Sequence, residues 1–331
     1  MQAAIYTAYG AADQVRVTQR PVPAPGAKEV LIRVGAAALT TADWRLRASA
    51  FPGMLWLPGR LMTGLFAPKQ QVLGNSMAGT VVAVGAAVTR FSVGQRVFGF
   101  VGHGAHAEYL AVSEEAALVP TPEALDDAGA AALPFGALSA LVFLRDVAQL
   151  ATGQHVLIVG ASGGVGAYAT QIARAMGAHV TAVAGPGRDA ALRGLGAHRV
   201  IDYRQEDPDA ARAAYDVVLD TVGATSWRQM RRAIRPGGVY VPLNFTQREI
   251  WHALRAKLTG GPRVALAVSG DTAEDLAEIT AMVQAGTLRP VIDSRFPLAR
   301  IAEAHAKVES RHALGTVVID MADAASPARA A

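Results

Sequence analysis

The chain contains no cysteine, and that single absence removes disulfides, thiol nucleophiles and thiolate metal ligands together. Lysine is scarce too, found only at Lys28, Lys69, Lys257 and Lys307, so arginine carries nearly all the positive charge. The net charge of +4 is scattered rather than gathered into a stripe, which gives no footing for nucleic acid or a membrane surface as a partner. Long apolar runs are also missing. The two longest uncharged stretches, Ala128 to Leu144 and His155 to Ala173, are interrupted by Pro134 and Gly136 in the first and by glycines in the second, so neither reads as a membrane span. The start, Met1-Gln2-Ala3-Ala4-Ile5-Tyr6, has no basic segment leading into an apolar one, so no export signal is expected and a cytoplasmic location follows by default.

What is present is a chain of 331 residues, 51% hydrophobic, long enough for two domains and able to bury a large core. As far as about Pro122, β-rich runs at Val30 to Val34, Met77 to Val84, Arg96 to Phe100 and Ala107 to Val112 alternate with Gly26, Gly74, Gly85, Gly94 and Gly102. That spacing predicts a small closed β domain. Leu46 to Gln71 is less regular, with Pro52, Gly53, Pro58, Gly59 and Pro68, and reads as an irregular insertion or loop. Its Phe51, Met54, Leu55, Trp56, Leu57, Leu61, Met62 and Phe66 offer apolar surface for either a hydrophobic pocket or a subunit contact.

After Gln154 the rhythm becomes strand, glycine turn, helix. Strands are predicted at His155 to Val159, His179 to Val183, Arg199 to Ile201, Asp216 to Leu219, Val239 to Val241 and Val264 to Val268, with helices running to Met176 and to Leu195. Repeated βα units with apolar strands predict a doubly wound parallel sheet. The last stretch returns to β-like runs at Val291 to Phe296 and Thr316 to Ile319 around a helix at Ile301 to Val308, so the tail can rejoin the first domain. Ala322 to Ala331 is expected to fray.

The sharpest local signal is Val156-Leu157-Ile158-Val159 running into Gly160-Ala161-Ser162-Gly163-Gly164-Val165-Gly166 and then a helix. Glycines at such a turn let the backbone approach a pyrophosphate, and the helix N-terminus supplies free N–H donors and the positive end of its dipole. Taken alone, the turn also fits a tight strand-to-helix connection. A site for NAD usually carries an acidic residue at the end of the second strand. Here Val183 is followed by Ala184, Gly185, Pro186, Gly187 and Arg188. A missing carboxylate and an arginine free for a 2′-phosphate favour NADPH, although Arg188 also fits a solvated helix start.

Several segments together resemble the medium-chain dehydrogenase/reductase superfamily over nearly the whole chain. They are Pro21-Val22-Pro23 with Glu29 to Val34, Leu73-Gly74-Asn75-Ser76-Met77-Ala78-Gly79-Thr80-Val81, Phe91-Ser92-Val93-Gly94-Gln95-Arg96-Val97 and Ala107-Glu108-Tyr109. Ala161 to Gly166 resembles the cofactor turn of the quinone reductase branch. The resemblance implies an α/β chain with a GroES-like β-rich catalytic domain, 1–122 with 287–331, plus a doubly wound parallel-sheet Rossmann domain, 123–286, with the active site in the cleft. It further implies that Ser139 lies near the nicotinamide, Tyr203 near the 2′-phosphate, Thr221, Val222 and Gly223 under the adenosine ribose, and Pro242, Leu243 and Asn244 beside the nicotinamide. Each also has a plainer use: Ser139 within its helix, Tyr203 in packing, Asn244 as a helix cap.

Zinc-dependent members of that superfamily place a histidine and a glutamate directly after the glycine matched by Gly74. This chain has Asn75 and Ser76 there and no cysteine anywhere, so the ligands of a catalytic zinc are lacking. His103 and His106 have no third ligand nearby in sequence, and no metal is expected. Thr40-Thr41-Ala42-Asp43-Trp44-Arg45 resembles the segment facing the cleft, with Thr40 replacing the usual asparagine. Arg45 stands where some quinone reductases carry tyrosine and some enone reductases lysine. Asp43 and Arg45 are therefore candidate catalytic residues, Arg45 as an anion stabiliser, with helix capping and solvation as the plain alternatives. Thr316 likewise replaces a lysine that often follows the glycine matched by Gly315.

Without a Lewis acid, substrates already prone to accept hydride are expected: quinones and α,β-unsaturated carbonyls, small and hydrophobic. An enoyl-thioester or ketide reductase and a non-catalytic NADPH-binding protein remain open alternatives. The superfamily's habit of pairing subunits makes a homodimer the expected assembly.

Overall fold

The computed structural model describes residues 1–321 apart from 52, 54, 55 and 260. Strand β1 (Gln2–Ile5) pairs antiparallel with β2 (Arg16–Gln19) in a small sheet of its own. The first large sheet is organised by β3 (Glu29–Leu39), which is buried over most of its length on both faces, and this is why its sequence runs apolar almost without alternation. Strands β4 (Ser76–Val84), β5 (Arg96–Phe100), β6 (Tyr109–Ser113) and β7 (Ala117–Pro120) build out from it antiparallel, with β6 also pairing to β3.

Helix α1 (Thr41–Ala48) leaves β3 directly, and α2 (Trp56–Thr63) follows. The predicted irregular insertion from Leu46 to Gln71 is therefore partly helical: α1 runs on through it to Ala48, and Pro58 and Gly59 lie inside α2. Pro58 is tolerated there because a residue in a first helical turn has no intrahelical acceptor for its N–H. Met54 and Leu55 fall outside the described residues, but Trp56, Leu57, Leu61, Met62 and Phe66 are all exposed.

The uncharged stretch after Asp127 forms most of two short buried helices, α3 (Asp127–Ala132) and α4 (Pro134–Val142), with Pro134 at the first position of the second. The parallel sheet then begins. Its strands are β8 (His155–Val159), β9 (His179–Ala184), β10 (Arg199–Asp202), β11 (Tyr215–Asp220), β12 (Ile234–Pro242) and β13 (Arg263–Val264), in the spatial order β10-β9-β8-β11-β12-β13. Along β8 alternate side chains enter opposite cores, Val156 and Ile158 on one face, Leu157 and Val159 on the other. Helices α5 (Gly166–Ala175), α6 (Asp189–Gly194), α7 (Trp227–Met230), α8 (Gln247–Thr259) and α9 (Ala273–Gln284) are interspersed among these strands or follow them. The chain switches sides between β8 and β11, which leaves a crevice at their carboxyl ends, where ligands of such sheets bind.

The predicted strand Val264 to Val268 shrinks to two residues. As an edge strand it has one neighbour, register is held only by Val239 with Arg263 and Tyr240 with Val264, and Val268 is exposed. Finally β14 (Ile292–Pro297), α10 (Ile301–Glu309) and β15 (Thr316–Asp320) return the chain to the first sheet, where β15 pairs antiparallel with β3. No described helix is long and apolar enough to cross a membrane.

Candidate cofactor and substrate site

The turn from β8 to α5 uses its glycines for two different reasons. Gly160 has φ +77°, and a Cβ there would lie 2.6 Å from Val222 Cγ1; at Gly166 it would lie 2.2 Å from the Gly160 carbonyl. The turn itself requires both. Gly163 and Gly164 are different, because a Cβ would meet nothing nearer than Gly160 O at 3.4 Å and Gly315 O at 3.6 Å. Packing within the protein does not call for glycine at these two positions. Partly exposed backbone with room to spare, with Ala161, Ser162 and Val165 completing the loop at the start of a ten-residue helix, is a surface a pyrophosphate fits.

The neighbouring strand ends converge on this turn. Thr221 Oγ1 donates to Val159 O at 2.9 Å and reaches Gly160 O at 3.3 Å. Val222 is partly exposed beside Gly160, and Gly223 takes φ +73°. Asn244 Nδ2 donates to Thr221 O at 3.1 Å, and Leu243 N donates to Asp220 O at 2.9 Å, so the loop after Pro242 is tied to the loop after β11. Asn244 is not the cap of α8. That place is taken by Thr246, whose N–H and hydroxyl both donate to Glu249 Oε2.

On the other flank, Ala184 is buried at the end of β9 and Gly185 faces the Tyr203 ring, 3.5 Å from the position of a Cβ. Tyr203 itself stays half exposed rather than packing away. Arg188 precedes α6 without capping it and donates from Nη2 to His312 O at 2.9 Å. Ser139 is buried in α4, one turn past Gly136, where a Cβ would sit 2.1 Å from Gly164 O; α4 thus lies directly against the glycine turn.

Helix α1 carries the remaining candidates, Asp43 and Arg45. Thr40 and Asp43 form a capping box: Thr40 N and Oγ1 donate to Asp43 Oδ2 at 2.8 and 2.7 Å, and Asp43 N donates back to Thr40 Oγ1. Gly74 N donates to the other oxygen, Oδ1, at 2.9 Å. Of the two uses the sequence offered for Asp43, the geometry gives its carboxylate the cap, with both oxygens engaged. Asn75 Nδ2 donates to Thr40 Oγ1 at 2.9 Å and Ser76 Oγ to Asn75 Oδ1 at 2.8 Å, so a buried chain of neutral hydrogen bonds occupies the positions after Gly74. His106 is buried with Nε2 against Ala38 O and its ring edge-on to His305, while His103 is exposed; the fold does not present the two together. Arg45 is half buried on α1, and burial first, then the Arg311 guanidinium, lowers its pKa. Thr316 donates its hydroxyl to Ala132 O and has a structural task.

Two residues of the site were not singled out from sequence. Asp220 is fully buried and its carboxylate accepts from Val222 N, Gly223 N and Ala224 N at one oxygen and from Thr225 N and Oγ1 at the other. It shapes the loop that carries Thr221 to Gly223, and its position at the last residue of an apolar strand is a signal that was available. Arg311 had none, since its place depends on α10 meeting α1.

Residues 26–123 match the alcohol dehydrogenase GroES-like domain and residues 195–319 the zinc-binding dehydrogenase domain. The chain is 31% identical to a chloroplast envelope quinone oxidoreductase homolog of Arabidopsis thaliana, over 97% of this chain and 98% of that one. It is also 31% identical to an NADPH-dependent alkenal/one oxidoreductase, chloroplastic, of the same plant, over 96% of this chain and 79% of the relative. The solved quinone oxidoreductase from Coxiella burnetii superposes with a TM-score of 0.85 at 27% identity, covering 97% of this chain and 99% of that one. With the glycine turn, the strand order and the GroES-like sheet in place, the chain belongs to the medium-chain dehydrogenase/reductase superfamily, in its quinone oxidoreductase branch.

Proposed function

We propose that this protein is an NADPH-dependent oxidoreductase that reduces quinones or the C=C bond of α,β-unsaturated carbonyls without zinc. The observation that carries the reading is the Gly163-Gly164 pair, bare backbone that the protein's own packing does not require, at the mouth of the β8–β11 crevice. Bound NADPH supplies hydride to the acceptor carbon or quinone. The chain holds the dinucleotide through Gly160 to Gly166 at the pyrophosphate, Thr221 to Gly223 beneath a ribose, and Pro242 to Asn244 with Ser139 at the nicotinamide end. Arg188 and Tyr203, with Ala184 and Gly185 between, face the 2′-phosphate. The stretch from the end of β9 to Arg188 carries no acidic side chain to repel it.

Zinc independence is supported by the side chains themselves: the Ser76–Asn75–Thr40–Asp43 chain fills the place of ligands, and the sequence has no thiolate to offer. Asp43 positions α1 against Gly74, and Arg45 on the same helix brings positive charge to the substrate side. Solvent is the proposed source of the proton that completes the product. The GroES-like unit is taken as 1–122 with 287–331 and the cofactor unit as 123–286. A cytoplasmic homodimer is the proposed form, supported by the exposed Ile250, Trp251, Leu254 and Val268 beside the β13 edge.

The test follows loss of NADPH absorbance by chelator-treated enzyme with a quinone, a linear enone and a simple ketone in parallel, and NADH as the cofactor control. Turnover of quinone or enone with NADPH is expected. Turnover of the ketone alone, or a preference for NADH, overturns the proposal.

A further inference from the structure

Two arginines meet where α1, the end of α10 and the glycine turn come together. Arg311 adopts φ +58°, a left-handed conformation that a non-glycine residue holds only when its surroundings fix it. Its guanidinium lies over the Trp44 ring, 5.0 Å from the centroid, and its charge also acts on Arg45, the next residue of α1. The segment carrying it is pinned to the cofactor half at two points: Gly315 N donates to Ser162 O at 2.8 Å, and Arg188 Nη2 to His312 O at 2.9 Å. Arg311 therefore stands at the junction between the substrate wall and the phosphate-binding turn.

Neither of these guanidiniums has a carboxylate within salt-bridge distance among the described residues. Arg47 on the same helix does: it pairs with Glu309 at the end of α10 at 2.7 Å. Holding two like charges together without a counterion is unfavourable, the more so where one of them is half buried, and an anion placed between them relieves it. Planar guanidiniums suit carboxylate or phosphate oxygens through paired N–H donors.

We propose that Arg45 and Arg311 form a clamp for an acidic group on the substrate, so that the enzyme prefers enones or quinones bearing a carboxylate or phosphate. This rests on the reductase reading above. The substrate is favoured over the dinucleotide as the source of the anion because Arg45 and Trp44 belong to α1, the helix capped at Thr40 and Asp43 on the substrate wall. The dinucleotide phosphates have their own places at Gly163-Gly164 and Arg188.

The experiment compares kcat/KM for trans-4-oxo-2-pentenoate and its methyl ester in wild type, R45A, R45K and R311A, with the Kd for NADPH measured in parallel. It also measures the binding of saturated 4-oxopentanoate to the enzyme–NADP⁺ complex by calorimetry. Wild type is expected to favour acid over ester about tenfold or more, and each alanine variant to collapse that ratio by about tenfold. R45K is expected to recover part of it, the Kd for NADPH to stay within about twofold, and 4-oxopentanoate binding to weaken in step. Equal use of acid and ester by wild type overturns the clamp. So does a raised Kd for NADPH in R45A or R311A with the ratio intact, which would assign the anion to the cofactor. If neither enone turns over but 4-oxopentanoate binding is still lost in R45A, the clamp stands and the reductase reading falls.

Discussion

Replacing Asp220 by asparagine keeps shape and volume and changes only what the two terminal atoms can do. One oxygen accepts from Val222 N, Gly223 N and Ala224 N at 3.0, 2.7 and 3.3 Å; the other accepts from Thr225 N and Thr225 Oγ1, both at 2.7 Å. An asparagine that keeps its oxygen toward the three amides turns its NH2 toward the Thr225 N–H, donor against donor, in a site with no exposure. The orphaned N–H costs roughly 1–3 kcal/mol, and the loss of charge assistance in the remaining bonds about 1 kcal/mol more. A total near 3 kcal/mol lowers the unfolding temperature of a large chain by about 6–12 °C. Because the same loop carries Thr221 to Gly223 under the cofactor, the KM for NADPH is expected to rise about tenfold while kcat, once saturated, falls less. Scanning calorimetry and a NADPH titration of the steady-state rate test the two halves together. A variant within about 2 °C of wild type with KM within twofold would show that the turn does not depend on this carboxylate, and the reasoning would fail.

Gly163→Ala separates folding from binding: the added Cβ meets only ordinary contact, so thermal stability should stay within about 1 kcal/mol of wild type while the KM for NADPH rises tenfold or more. Loss of stability with cofactor binding intact would contradict it. His305 is buried with both ring nitrogens unpartnered, and burial first, then His106 and Arg47, pushes its pKa down to about 2 from 6.5. A base depressed in the folded state contributes stability that is complete above pH 6.5 and is lost as pH falls below it, so the protein should lose about 2 kcal/mol from this group between pH 6.5 and 5. His305→Leu should flatten that slope in denaturant titrations at the two pH values, and an unchanged slope would assign acid sensitivity elsewhere. Arg188→Ala is expected to cut the kcat/KM preference for NADPH over NADH at least tenfold, and a preference that survives would remove Arg188 from the 2′-phosphate site.

What the sequence by itself determined was what short-range chemistry dictates. An apolar strand entering a glycine turn needs no distant partner to be read, because φ preference and the lack of a Cβ are properties of each residue, and Gly160 to Gly166 lie where that reading put them. Alternating and continuous apolar runs gave most strands of both sheets, since burial on one or two faces leaves its mark within a few residues. The reading failed where long-range contact outweighs local preference. Pro58 and Gly59 suggested a loop, yet they lie inside a helix whose Gly59 is against the Phe51 ring, and the β13 strand shortened because an edge has only one neighbour to hold it. Tertiary structure alone decided the charges. Asp43 became a cap because Thr40 and Gly74 converge on its two oxygens. Arg45 and Arg311, far apart in the chain and unremarkable as single residues, became neighbours only when α10 came to rest against α1. Electrostatic interaction depends on distance in space, which local sequence does not encode.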